Sequence, residues 1–229
     1  MTTRFRAVLF LAASILAFSQ TGSTSGAGDA VDSALIAKVE KRFSEMNGFK
    51  ANFRQVFHNA SMGTVEESAG TVAMQKPLKM RWDYKTPVEQ TVLSDGKAIY
   101  FYVPAEKRAV VEPLGNVINA HSPALFLAGG KKLRDIFVVK SAQTGDEIGK
   151  MDGKVFLSLT PREKSATVTK MVIAVDAVDY AIRALSFYDW AGNRSDMEFS
   201  DMEINGKING EQFLFKRPKG VELLDSPKF

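Results

Sequence analysis

The chain contains no cysteine and only two histidines, His58 and His121. The first absence excludes disulfides, thiol catalysis, cysteine metal sites and a lipidated N-terminal cysteine. The second leaves too few imidazoles for a histidine-built zinc site. Catalytic signatures are missing as well: there is no G-x-S-x-G, no H-E-x-x-H, no glycine-rich phosphate loop and no metal-spaced cluster. The sequence therefore implies no cofactor and no enzyme activity. No apolar run is long enough to cross a bilayer. The longest, Ala7 to Phe18, follows Arg4 and Arg6 and precedes the small residues Ser25-Gly26-Ala27. That order predicts a cleavable export signal over residues 1–27 and a soluble exported product.

Residues 28–229 show no linker, repeat or low-complexity stretch and read as one domain. The net charge of +4 arises from 30 basic and 26 acidic residues interspersed along the chain. No basic cluster interleaves with aromatics, which argues against a nucleic-acid partner.

What the chain has in excess is alternation. Leu78, Met80, Trp82 and Tyr84 alternate with Lys79, Arg81, Asp83 and Lys85, a period-2 ribbon with one face of large, flat apolar side chains. Asp95-Gly96, between Thr91–Ser94 and Ala98–Tyr102, predicts a two-residue hairpin with both turn residues at positive φ. Phe49, Ala51, Phe53, Gln55 and Phe57 share one face of an earlier strand, and Gln55 there needs an inter-strand hydrogen-bond partner. Residues 58–68, with Gly63, form a loop or hairpin tip, and Gly70, Val72 and Met74 follow as the next strand. Upstream, Leu35, Ile36, Val39, Phe43 and Met46 recur at helical spacing, with Asp29 as the predicted cap and Asn47-Gly48 as the stop. Ser122-Pro123 opens a short helix, Ala124–Ala128, that is apolar all round and must be covered on more than one side.

From Asp135 onward the pattern is strands and turns, including Gln212–Phe215 as a closing strand. Within Met197–Ile204 the apolar phase slips by one at Ser200-Asp201, which predicts a β-bulge. About ten strands, with helices only at the start and middle, give a mainly β (α+β) fold. The expected form is a curled antiparallel sheet, an incomplete β-barrel whose concave side is covered by a helical lid: the N-terminal helix and the 116–135 segment.

Four motifs stand in one order: Lys76-Pro77, Arg81-Trp82-x-Tyr84, Pro87-x-Glu89-Gln90 and Ser94-Asp95-Gly96-Lys97. Together they resemble the signature of the periplasmic outer-membrane lipoprotein carriers, the LolA family. F-x-A-x-F-x-Q from Phe49, S-P-A-L-x-L-x-G-G from Ser122 and F-x-F-x-x-P-x-G-V from Phe213 extend the resemblance from Leu35 to Val221. It implies a cofactor-free periplasmic monomer that holds the acyl chains of lipoproteins in an apolar cavity. Its partners would be an inner-membrane ATP-driven release complex (LolCDE-like) and a LolB-like outer-membrane acceptor. The residues expected to form cavity wall and lid are Phe53, Met74, Met80, Trp82, Leu93, Tyr100, Tyr102, Leu125 and Phe126. In the family the basic residue before the proline is an arginine that holds the lid. Here it is Lys76, the expected latch, an ammonium in place of a guanidinium fork.

The residues taken alone leave other readings open. These are an envelope scaffold with an ordinary filled core, a binder of another amphiphile such as a glycolipid, and an exported hydrolase using Asp196, Glu198, Asp201 and Glu203. Alternation of those carboxylates with Met and Phe reads as the solvated face of a strand. Arg81, opposite in face to Trp82, reads as a surface or edge residue, and Lys131, Lys132 and Arg134 as a solvated helix end.

Overall fold

A computed structural model of the chain describes residues 32–117, 132–146, 148, 152–163 and 168–225. The predicted export signal, Asp29 and the apolar helix with Leu125 and Phe126 lie outside the described residues.

The first helix, α1, spans Ser33–Glu45. Asp32 is its cap: its carboxylate accepts the Ala34 N–H at 2.8 Å, satisfying one of the helix's orphan donors. The predicted glycine stop does not form. Met46 is already extended and Gly48 opens the first strand. Asn205 closes the helix instead, donating from its amide to the Glu45 carbonyl (3.0 Å) and accepting the Asn47 N–H (2.6 Å). That partner lies far along the chain, where no local signal announces it.

Among the described residues twelve strands follow, against about ten expected from periodicity. They are β1 (Gly48–Asn59), β2 (Thr64–Gln75), β3 (Lys79–Thr86), β4 (Gln90–Asp95), β5 (Ala98–Val103), β6 (Arg108–Pro113), β7 (Phe137–Ser141), β8 (Lys154–Pro161), β9 (Lys170–Asp176), β10 (Ile182–Tyr188), β11 (Arg194–Ile204) and β12 (Glu222–Asp225). They form one sheet in the order β12-β6-β5-β4-β3-β2-β1-β11-β10-β9-β8-β7. All neighbours are antiparallel except β12, which runs parallel to β6. The two end strands do not pair with each other, so the sheet is open rather than a closed barrel. Gln212–Phe215 is not a strand. Gly210–Phe213 is a 3-10 turn, after which the chain runs without strand pairing to β12. The apolar alternation there comes from wrapping over the sheet: Phe213 is fully buried while Leu214 is exposed.

The predicted bulge is present. Lys50 faces Glu203 and Asn52 faces Ser200, so β11 carries an extra residue, and Asp201 sits at φ 50°. The slip turns Met202 and Ile204 onto the same face as Phe199, against Phe49 and Phe53. The β4–β5 turn differs from expectation by one residue. Ser94 pairs with Ile99, the turn residues are Gly96-Lys97, and Gly96 (φ 95°) is the one with positive φ. Asp95 contributes its side chain rather than its backbone, accepting the N–H groups of Lys97 (2.8 Å) and Ala98 (2.9 Å).

The sheet has an inner face, which carries α1, and an outer face. Ile36 and Val39 of α1 pack with Leu157, Ile173 and Leu185. Burying two such side chains stabilises the docked helix by about 3–6 kcal/mol before its ordering cost. A second inner cluster centres on Phe49, Phe53 and Val72, and a third on Val92, Ile99, Phe101 and Leu114. Trp82 packs against all three. The outer face is covered at both ends. Ile148 lies on Val172, Ala174 and Ala184, and the C-terminal turn Gly210–Phe213 lies against β3 and β4.

Candidate functional site

Register puts Val72, Trp82, Val92 and Phe101 side by side across four strands, all on the inner face. One row along, Phe53, Gly70 and Tyr84 face one another. Gly70 has no side chain to separate its neighbours, and a Cβ there would lie 2.0 Å from the Asp83 carbonyl oxygen. The Phe53 ring therefore meets Tyr84 edge-on at 4.9 Å and Trp82 edge-on at 5.0 Å. Trp82 in turn lies 6.1 Å from Phe199. The tyrosine hydroxyl donates to Gln55 Oε1 (2.8 Å), whose amide donates to Ser195 Oγ (2.8 Å). Gln55 thus has the inter-strand partner its position requires. Burial pushes the Tyr84 phenol up, so it stays neutral across the physiological range.

Phe53, Met74, Met80 and Trp82 are thus brought together on the inner face, and all but Phe53 stay half-buried. Leu93, Tyr100 and Tyr102 are not with them. Leu93 pairs with Tyr100, and Thr91 with Tyr102, one residue out of phase with the Val92–Phe101 pair, so all three belong to the outer face. The Tyr100 ring stacks on Phe215 at 4.8 Å, Tyr102 meets the same ring edge-on at 5.9 Å, and Leu93 is 1% exposed. The inner wall has Val92, Ile99 and Phe101 in their place. Sequence reasoning missed them because Val92-Leu93 and Ala98–Val103 are apolar on both faces. Only the pairing of Trp82 with Val92 tells the faces apart.

At the rim, Lys76 directs its ammonium to the main-chain carbonyl of Phe43, near the C-terminus of α1. The same nitrogen lies 4.3 Å from the centroid of the Phe43 ring. The last carbonyls of a helix have no intrahelical partner and carry its negative pole, so a cation there is favoured. Burial works against the charge and pulls the Lys76 pKa down. Further along α1, Glu40 accepts the Arg134 side chain (2.8 Å) and the Arg134 main-chain N–H (3.0 Å). Burial opposes ionisation of Glu40, but the hydrogen bonds and charge of Arg134 outweigh it, and the carboxyl titrates below its ordinary range. Arg134 is thus a fastening for α1 rather than a merely solvated residue.

Arg81 also has a defined task on the outer face. It forms a two-pronged pair with Asp83 (2.6 and 3.0 Å) and donates to the Gln212 carbonyl (3.0 Å), tying down the C-terminal segment. The β11 carboxylates do not form an acid–base pair. Glu198 pairs with Arg54 at 3.2 Å, and Asp201 accepts the Asn52 amide at 2.7 Å. Asp196 is more enclosed than a solvated strand face implies, bonded to Ser186 and to Arg194 (2.6 Å). Among the described residues, no group of three or more histidines and carboxylates is placed to hold a metal.

A sheet of this topology with an apolar inner face has counterparts among known proteins. A solved structure of an uncharacterized conserved protein from Thermus thermophilus shares the fold, with a TM-score of 0.53 at 12% identity, covering 84% of this chain and 98% of that one. The outer-membrane lipoprotein carrier protein of Cupriavidus necator is 30% identical over 172 residues, 75% of this chain and 77% of the relative. That of Chromohalobacter salexigens is 28% identical over 180 residues, 78% of this chain and 81% of the relative. The family model for the outer membrane lipoprotein carrier protein LolA matches residues 44–216, a span from the end of α1 through the Arg81-anchored C-terminal segment. The chain belongs to the LolA family.

Proposed function

We propose that the protein is a periplasmic chaperone that shelters the acyl chains of lipoproteins against the inner face of the sheet. It takes them from an inner-membrane release complex and passes them to an outer-membrane acceptor. The observation that carries this reading is the state of the wall around Trp82. Met74, Met80 and Trp82 are large, apolar and half-buried on a face that α1 covers toward one side. Each acyl methylene removed from water there is worth about 0.8 kcal/mol, so partial shelter offsets a large exposure cost. A carrier must also release its cargo, which favours loose contact with adaptable Met side chains over full burial. No hydrolytic or redox step is needed.

Native mass spectrometry of the protein recovered from the periplasm tests the proposal. The expected species is a one-to-one complex with an acylated protein, lost in the presence of detergent. Recovery of cargo-free protein alone, together with failure to take up lipoprotein released from spheroplasts, would overturn it.

A further inference from the structure

Two turns meet at one end of the molecule. The β1–β2 hairpin turns at residues 60–63, and the β10–β11 connection turns at 189–193. Because β1 pairs antiparallel with β11, with His58 opposite Arg194, the two turns are neighbours. A Cβ on Gly192 would stand 3.5 Å from the Ala60 side chain.

This tip carries exposed apolar side chains and a single carboxylate, that of the half-buried Asp189. Met62 is 69% exposed, Val65 62% and Trp190 65%. The stretches 59–65 (Asn-Ala-Ser-Met-Gly-Thr-Val) and 190–193 (Trp-Ala-Gly-Asn) contain no ionisable side chain. The Asp189 carboxylate is occupied by the N–H groups of Ala191 and Asn193 and by the Asn193 amide.

The turns are also fixed. Asn193, 7% exposed, accepts the Ala60 N–H at 3.0 Å and so bolts one turn to the other. Asn59 accepts from Ser61 Oγ (2.9 Å) and the Met62 N–H (3.0 Å). The apolar groups are therefore presented by a pre-ordered backbone, and little entropy is lost when they are covered.

We infer that this tip is a shallow docking point for a lipid bilayer surface, with Trp190 and Met62 entering the headgroup boundary. The chemistry favours a membrane over a protein. Stable protein interfaces bury about 800 Å² per partner and seat a tryptophan in a complementary pocket. Two narrow turns offer a small convex knob. A bilayer boundary needs no matching pocket and takes Trp by preference, and the one carboxylate at the tip, Asp189, is half-buried and held by three hydrogen bonds within its own turn. The contact would be weak and reversible, as one small apolar patch allows. The inference stands apart from the carrier reading, since it concerns the turns and not the inner face.

The test uses the protein purified after export and sucrose-loaded phosphatidylcholine vesicles, some made with brominated acyl chains. The chain has two tryptophans, Trp82 and Trp190, so the fluorescence quenching that Trp190→Ser removes reports on the tip. Bromine is expected to quench the wild type and to leave the emission of Trp190→Ser unchanged. Met62→Ser/Trp190→Ser should co-sediment at least tenfold less than wild type with an unaltered circular dichroism spectrum. Both positions are exposed, so the fold tolerates the change. Adding phosphatidylglycerol should alter wild-type binding less than twofold. Equal quenching of wild type and Trp190→Ser, equal co-sedimentation of the double variant, or binding only to anionic vesicles would each overturn the inference.

Discussion

The Lys76 ammonium donates to the main-chain carbonyl of Phe43 and sits 4.3 Å from the centre of the same residue's ring. One cation therefore holds both the backbone and the side chain of the last turn of α1 to the start of the β3 ribbon. The site is partly buried, which strengthens the hydrogen bond and penalises the free charge together.

If α1 must yield when cargo enters, this contact sets how firmly the empty form is closed. Lys76→Leu removes a charge-assisted bond and leaves the Phe43 carbonyl without it, favouring the open, loaded form. Cargo transfer to acceptor-bearing membranes should slow about tenfold, the lower end of what such a bond is worth. Lys76→Arg should favour the closed form. Equal transfer by wild type and Lys76→Leu would show that the contact is not a latch.

Met80 faces the inner side beside Trp82 and is half-buried. Met80→Glu places a carboxylate between Met74 and Ser94, and the Ser94 hydroxyl already donates to the Leu78 carbonyl (2.8 Å), so the cost of desolvating the charge is not offset. Uptake of acylated lipoprotein should fall at least about tenfold in a variant that still melts cooperatively. Unchanged uptake would remove Met80 from the cargo site.

Tyr100 gives the converse test, because it lies on the outer face against Phe215. Tyr100→Ala should cost about 2 kcal/mol of stability through the lost ring contact and loosen the C-terminal segment. Protease cleavage within 214–220 should accelerate while cargo uptake changes less than about twofold. A selective loss of uptake in a stable variant would place Tyr100 back in the site.

Gly70 is predicted to tolerate no side chain. The Cβ of Gly70→Ala would press on the Asp83 carbonyl at 2.0 Å, and backbone cannot step aside as a side chain can. A destabilisation of about 3 kcal/mol is expected in urea unfolding, with the Phe53–Tyr84 contact disrupted.

Acid should loosen α1 through Glu40. Its folded-state pKa is depressed below the ordinary 4.5, so its contribution is fully present above that value and is lost as pH falls through the lower folded value. The protection factors of the α1 amides, taken relative to the intrinsic exchange rate at each pH, should fall as pH drops below 4.5 in the wild type. Glu40→Gln should be less protected at neutral pH and respond less to acid. Parallel pH profiles for the two proteins would rule out the Glu40–Arg134 pair as the cause.

Much of this architecture was legible in the amino-acid order. Period-2 alternation marked the β3 ribbon, the slip at Ser200-Asp201 marked the bulge, and Gln55 among apolar neighbours demanded the partner that Tyr84 and Ser195 supply. These are local facts, because a strand's alternation and its interruptions are written in consecutive residues. The division of the β4 and β5 side chains between the two faces was not legible. Both strands are apolar on both sides, and alternation says which residues share a face, not which face meets Trp82. Tertiary pairing decided it: Trp82 opposite Val92 sent Phe101 inward and Leu93, Tyr100 and Tyr102 outward, where Phe213 and Phe215 bury the outer surface. The same holds for α1, whose apolar stripe is written in the sequence. Its fastenings, Lys76, Arg134 and Asn205, come from distant segments that only the folded sheet brings to it.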